Sequence, residues 1–135
     1  MSGERSKPNN DPALAMCILW QSNCDVLEKH VSLASQREQV AFAADDDERP
    51  EAERQHLAAV RVRDRISDDL DILARAIFKT KAQSFEGASA KLAVAIRGEA
   101  PSLTDPHSPW PQLRSVLTDL TQLVAAQNLS SDVAT

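Results

Sequence analysis

Glycine and aromatic residues are scarce in this 135-residue chain, which has three glycines, three phenylalanines, two tryptophans and no tyrosine. Strands and their turns draw on these residue types, so their scarcity disfavours a β-sandwich or a β-barrel. Three glycines also exclude most of the glycine-rich loops that hold a nucleotide phosphate. Twenty of the apolar residues are alanine, so few large side chains are available for a core.

Long apolar runs and a dominant sign of charge are missing as well. The longest apolar run, Ala13–Trp20, has eight residues, whereas a membrane span needs about 20. Residues 1–10 are polar and lack the apolar core of a secretory signal. Fifteen basic and 20 acidic residues leave a net charge of −5, which weighs against a general nucleic-acid binder. We therefore expect a soluble, cytoplasmic protein with no membrane partner.

Only two cysteines occur, Cys17 and Cys24, seven residues apart in a segment that the pattern predicts to be helical. Seven helical residues rise by about 10.5 Å, and a disulfide requires Cα atoms within about 7 Å. We therefore expect no bridge between them. The spacing is also not that of a zinc site, so both are interpreted as small packed residues.

Apolar residues three and four positions apart predict two long helices at the start of the chain. Asp11-Pro12 favours a helix start, and the first helix is expected over 12–43. The acidic run 45–48 and Pro50 predict a turn and the cap of a second helix. The apolar positions of that helix form a narrow, nearly heptad seam: Ala52, His56, Ala59, Val62, Ile66, Leu70, Leu73 and Ile77.

Two shorter helices are predicted in the rest of the chain. The pattern loosens at 80–84, where we place a break with Ser84 as the next helix cap and Gly98 as the residue that ends this helix. The alternative is that the second helix continues through residue 97 with a bend near Gly87. Four prolines between 99 and 111 exclude regular structure there, and we expect Leu103 and Trp110 to pin this segment to the domain. Ser108-Pro109 opens a last helix over about 109–127. Its inward side is predicted to hold Leu113, Val116/Leu117, Leu120 and Leu123/Val124.

These elements predict an all-α fold, an elongated antiparallel helical hairpin with two shorter helices, similar to a four-helix bundle. The expected organisation is a disordered N-terminus over 1–10, one helical domain over 11–127 and a frayed tail over 128–135. Because a narrow alanine-rich seam buries little apolar surface, a homodimer is the expected oligomeric state.

No catalytic, cofactor-binding or metal-ligating site is predicted. The motifs of serine hydrolases, phosphate loops and zinc proteases are absent from the sequence. Glu53 and His56 have the Glu-x-x-His spacing of di-iron bundles, but a second such pair is missing. His30 and His56 lack the lysine and glycine that follow a phosphotransfer histidine. We therefore predict that the protein is not an enzyme and has no cofactor.

One resemblance covers residues 11–98. Asp11-Pro12, the charged hairpin and the stretch Ser84-Phe85-Glu86-Gly87-Ala88-Ser89-Ala90-Lys91-Leu92 resemble a group of small uncharacterised helical proteins from alphaproteobacteria. The resemblance implies a bacterial, all-helical, cytoplasmic single domain and implies no activity.

The sequence is interpreted as a non-enzymatic protein–protein interaction module that self-associates. Its seam is expected to pack Ile66, Leu70, Leu73 and Ile77 against Ile18, Leu27 and Val31. Trp20 and Trp110 are the aromatics best able to anchor a partner, although core packing is the role that we prefer for each. The alternative is a small DNA-associated regulatory or phage-type factor that uses the Arg61–Arg65 strip. A third reading is a metal protein or enzyme centred on His56.

Overall fold

The chain folds into α-helices, as its composition predicts. The computed structural model describes residues 10–134 and has four helices and no strand in that range. The helices are α1 (Pro12–Ala43), α2 (Arg49–Lys79), α3 (Phe85–Glu99) and α4 (Trp110–Ala134). α1 and α2 pack closely, which confirms an all-α, bundle-like fold. The predicted disordered segment lies outside the described residues, apart from its last residue, Asn10.

Contacts divide the chain into two compact units. One combines residues 10–19 with residues 76–134, and the other is Trp20–Arg75. The single domain predicted over 11–127 stays a prediction.

The unit Trp20–Arg75 is a helical hairpin whose turn is built by the acidic run. Residues 44–48 join α1 to α2, and a connection this short makes the helices antiparallel neighbours. The Asp45 carboxylate accepts a hydrogen bond from the Glu48 amide (2.9 Å), as a helix cap does. The Arg49 guanidinium donates to the Ala44 carbonyl just after α1 (2.9 Å). The predicted turn and cap are therefore confirmed.

The core face of α2 is more regular than predicted. Val62 was expected in the seam but is exposed, and half-buried Arg63 takes its place. The Arg63 guanidinium pairs with the neighbouring Asp64 carboxylate (2.9 Å), so its apolar stem can pack while its charge stays near water. With this correction the α2 seam alternates steps of four and three residues: Ala52, His56, Ala59, Arg63, Ile66, Leu70, Leu73 and Ile77.

The core face of α1 differs from the prediction at two positions. Trp20, Leu27, Ala34 and Ala41 recur every seven residues and are buried or half-buried. Ile18 and Val31 were predicted to pack against α2 but are exposed, Ile18 by 61%. Ile18 directly follows buried Cys17, and adjacent helical residues point about 100° apart. Only one of these two side chains can therefore face the core.

The half of the hairpin next to the turn has a core of small residues. Among the described residues, those buried there are all alanines: Ala34, Ala41, Ala44 and Ala59. Burying a leucine is worth about 1.5–3 kcal/mol, and a single methyl group contributes much less. A hydrogen bond from the Arg37 guanidinium to the Gln55 side-chain oxygen (3.0 Å) links the two helices in this half.

In the other unit, α2 and α3 are separated where the sequence predicts. Ser84 has an extended backbone (φ −148) and its hydroxyl accepts a hydrogen bond from the Gly87 amide (3.0 Å), so the predicted cap is confirmed. The Lys91 ammonium donates to the Thr80 carbonyl (2.9 Å). That bond satisfies one of the backbone acceptors left over where α2 ends.

α3 and α4 pack against each other, and three predictions about this region were wrong in detail. α3 continues through Gly98 to Glu99, and the residue that caps it is Ala100, whose φ of −66 requires no glycine. Leu103 is exposed and does not pin the proline-rich segment; the Arg114 guanidinium instead holds the Asp105 carbonyl there (2.6 Å). α4 runs to Ala134, beyond the predicted end at 127. Thr135, the last residue of the predicted frayed tail, lies outside the described residues.

Candidate interaction surfaces

The residues predicted to form an interaction seam lie mostly in the core of this chain. Three of them are buried: Trp20, Leu70 and Ile77. The other three are half-buried: Ile66, Leu73 and Trp110. Trp20 is only 6% exposed, so it has the core-packing role and not that of a surface anchor. Half-buried Trp110 keeps part of its ring at the surface, at the start of α4.

The histidines are not brought together with other metal ligands. Within residues 10–134, no group of three or more His, Cys, Asp or Glu side chains could hold a metal ion. His107 Nδ1 lies 3.1 Å from the Asp105 carboxylate on the proline-rich segment, with 85% of the His107 side chain exposed. His56 is half-buried in the α2 seam. His30 Nδ1 is buried and has no hydrogen-bond partner within the described residues.

The two cysteines are separate thiols. Cys17 is buried, Cys24 is half-buried, and no disulfide joins them. Burial raises the pKa of the Cys17 thiol; the nearby Lys91 charge opposes this effect and the Asp11 charge adds to it. Because the thiolate is the reactive form, Cys17 is a poor nucleophile in the folded protein.

Asp11 forms a buried polar network at the start of α1. Asp11 is 1% exposed, and its two side-chain oxygens accept hydrogen bonds from backbone amides and from a hydroxyl. Oδ1 accepts from the Ala13 amide (3.0 Å), and Oδ2 accepts from the Gln83 amide (2.9 Å) and the Ser84 hydroxyl (2.7 Å). One carboxylate therefore caps α1 and fixes the residues that begin α3.

The electrostatics of Asp11 favour its charged form. Burial by itself raises the pKa of the carboxyl, but hydrogen bonds from the Ser84 hydroxyl and from the backbone amides of Gln83, Leu14 and Ala13 outweigh it and hold the pKa below its ordinary value. All of these donors belong to the chain itself. The network is thus a structural anchor, and the sequence predicted only its helix-capping part.

The Asp11 carboxylate lies directly against Gly87, where a side chain would leave no room for it. A Cβ atom at Gly87 would overlap Asp11 Oδ2 and lie 2.9 Å from Asp11 Cγ. Glycine is therefore required here by close approach between α3 and the start of α1. The sequence contains no local sign of this contact, because the two residues are 76 positions apart.

The arginine strip of α2 is only partly available for a ligand. Arg61 and Arg65 are exposed, whereas Arg63 is half-buried in the α2 seam and paired with Asp64. The DNA-associated alternative stays a prediction, and steeply salt-dependent binding would be its mark.

Exposed apolar residues form a stripe on α4. Leu113, Val116, Leu120 and Leu123 alternate steps of three and four, so they lie along one side of the helix; these four residues are the α4 stripe. Leu113 and Leu120 are half-buried, whereas Val116 and Leu123 are exposed, Leu123 by 65%. The sequence predicted an inward side that includes Val116 or Leu117 and Leu123 or Val124. It could not decide which residue of each adjacent pair faces inward.

An apolar groove runs between α3 and α4 beside the α4 stripe. Its volume is about 290 Å³. The α3 wall consists of Glu86 and three small residues, Ser89, Ala90 and Ala93. The α4 wall consists of Leu117, Thr121 and Val124. The Thr121 hydroxyl donates to the Leu117 carbonyl of its own helix (2.8 Å). The groove therefore presents mainly apolar surface, with the Glu86 carboxylate as its charged group.

A second apolar surface lies on the hairpin near its turn. Phe42 is 90% exposed and borders a shallow depression with Ser35, Glu38 and Gln39. Val31 lies eleven residues earlier on α1, which places it on the same side of the helix as Phe42. This surface mixes polar and charged side chains with its two apolar ones.

No protein-family model, curated protein or solved structure matches the chain. The resemblance to the alphaproteobacterial group stays a prediction. None of the helices within residues 10–134 is long and apolar enough to cross a membrane.

Proposed function

We propose that this chain is a non-enzymatic protein–protein interaction module and that its first partner is a second copy of itself. The observation that carries the proposal is the exposure of valine, leucine, isoleucine and phenylalanine side chains, by 39–90%, on both long helices and on α4. Single exposed hydrophobic residues are normal on protein surfaces. The α4 stripe differs because its members recur at helical spacing beside an apolar groove.

The composition of the core supports the same proposal. The hairpin half next to the turn buries alanines and exposes Val40, Phe42 and Leu57. Apolar area removed from water stabilises a fold by about 25 cal/mol per Å². Large side chains left outside an alanine core can add this stabilisation when a second copy covers them.

Charge also favours a protein partner over a nucleic acid. The net charge is −5, and the exposed arginines of α2 alternate with Asp64, Asp68 and Asp69. Such mixed charge gives a weak field at a distance. The cytoplasm is the location we propose, and fractionation of native cells with an antibody to the chain would test it.

Light scattering after gel filtration tests the proposal directly. The untagged protein is measured over a concentration series, and a mass approaching twice 14.8 kDa as the concentration rises is expected. A mass that stays at 14.8 kDa over the whole series would contradict self-association. Metal analysis of protein purified without a chelator or a histidine tag checks the non-enzymatic part, since metal bound in a one-to-one ratio would favour the reading centred on His56.

A further inference from the structure

We infer that α4 is the self-association helix, and that it pairs antiparallel with α4 of a second copy about a two-fold axis at Leu120. This inference rests on the proposed function and adds to it the surface, the partner and the orientation. Each α4 stripe then covers the α3–α4 groove of the other copy.

The spacing of exposed and groove-lining residues matches between two copies. Leu123 and Val116 are the exposed residues of the α4 stripe, and Leu117 and Val124 line the groove. Both pairs are seven residues apart, which is about 10.5 Å along a helix. With a two-fold axis at Leu120, Leu123 comes level with Leu117 of the partner subunit and Val116 with Val124 of the partner subunit. The surface is therefore complementary to itself, as a two-fold interface must be.

The charge pattern selects a second copy as the occupant. Like charges near a two-fold axis face one another and repel, so a self-pairing helix needs a nearly uncharged face. Between residues 113 and 130 the sequence has two charged residues, Asp119 and Arg114, and the Arg114 guanidinium is bonded to the Asp105 carbonyl. The groove adds one carboxylate, that of Glu86. α2, in contrast, carries five arginines and six acidic residues between 51 and 75. Depletion of charge is also what distinguishes the buried centre of protein interfaces from other surface.

The small residues of α3 make room for the partner helix. Ser89, Ala90 and Ala93 leave the floor of the groove shallow beside Leu117, so a leucine side chain can approach the helix closely. The stripe from Leu113 to Leu123 is about 15 Å long. An interface of this length is small, and we expect association in the micromolar range, as for other small interfaces.

A matched pair of substitutions tests the surface. Leu123 and Leu129 are both leucines of α4, each 65% exposed, and they lie about 120° apart around the helix. Leu123→Glu places a carboxylate in the proposed interface twice per dimer, and we expect it to raise the dimer dissociation constant at least about 100-fold. Leu129→Glu should change it less than about threefold. Circular dichroism of both variants checks that the fold is retained.

Disulfide trapping tests the orientation. In the antiparallel pair, residue 113 is level with residue 127 of the partner subunit. A mixture of the Leu113→Cys and Gln127→Cys proteins should therefore form a mixed disulfide under mild oxidation, whereas each variant alone should not. Wild-type protein, which keeps Cys17 and Cys24, gives the background.

The outcomes separate this inference from the proposed function. A wild-type protein that remains a monomer overturns both. A wild-type dimer that Leu123→Glu and Leu129→Glu weaken equally, or not at all, overturns the α4 pairing and leaves self-association standing. Disulfides formed by Leu113→Cys alone overturn the antiparallel orientation.

Discussion

Replacing Gly87 with alanine gives a sharp test of the contact between α3 and the start of α1. In an ordinary helix interior this change stabilises by about 1 kcal/mol. At Gly87 the new methyl group would overlap the Asp11 carboxylate, which would have to leave its bonds to the Gln83 amide and the Ser84 hydroxyl. Hydrogen bonds to a charged group contribute about 1.5–3 kcal/mol, so we expect Gly87→Ala to lose about 2–3 kcal/mol of unfolding free energy.

A double-mutant cycle shows whether the two residues act on each other. Asp11→Ala removes the same bonds and a helix cap, and we expect a loss of about 3 kcal/mol. Once the carboxylate is absent, the methyl group at position 87 meets no charged side chain. The double variant should therefore lose no more than Asp11→Ala alone, which gives a coupling energy of about 2 kcal/mol or more.

Urea unfolding followed by far-ultraviolet circular dichroism measures these losses. Gly98→Ala is the matched control, because Gly98 is an exposed glycine in the same helix; it should stabilise by up to about 1 kcal/mol. The reasoning is refuted if Gly87→Ala is as favourable as Gly98→Ala. It is also refuted if the losses from Asp11→Ala and Gly87→Ala add to within about 0.5 kcal/mol.

Three further predictions concern acid stability, the α2 seam and the thiols. The folded-state pKa of Asp11 is lowered, so the Asp11 carboxylate contributes fully to the unfolding free energy above the ordinary pKa of 3.8. This contribution is lost as the pH falls through that value towards the folded pKa. In urea unfolding between neutral pH and about pH 3, the Asp11→Asn variant should therefore lose less unfolding free energy on acidification than the wild type. Leu70→Asp puts a charge at a buried position and should lower the unfolding free energy by about 3 kcal/mol or more. Ile72→Asp, on the exposed side of α2, should change the unfolding free energy by less than about 1 kcal/mol. Thermal melts measure both variants, and equal melting temperatures would contradict the burial of Leu70 in the α2 seam. An aromatic disulfide reagent should modify half-buried Cys24 before buried Cys17 in the native protein and both equally fast in urea; rapid native modification of Cys17 would contradict its burial.

Local patterns were enough to predict the elements of this fold. Ser84 has a side chain suited to capping and follows a segment without helical periodicity, which favoured a break there over a continuous helix, and the structure has that cap. The acidic run before Pro50 likewise placed the hairpin turn. These features depend on a few neighbouring residues, which is why a single sequence is sufficient to predict them.

Choices between adjacent residues could not be predicted from polarity. Val62 is more apolar than Arg63, yet Arg63 continues the alternation of four and three steps in the α2 seam. The sequence also could not tell whether Val116 and Leu123 face inward, because only the position of α3 decides which side of α4 faces it. The contact between Asp11 and Gly87 joins distant parts of the chain, and a local pattern contains no information about it.

The alanine half of the hairpin allows its length to change in steps. Ala34 and Ala41 on α1, and Ala52 and Ala59 on α2, are each seven residues apart, so successive layers there are chemically alike. Inserting one heptad into each helix at this level would add another such layer, about 10.5 Å long. All remaining residues would stay on the same side of their helix. The turn and its Asp45 cap would move outward unchanged. The distance between the turn and Trp20 would then change in steps of one heptad.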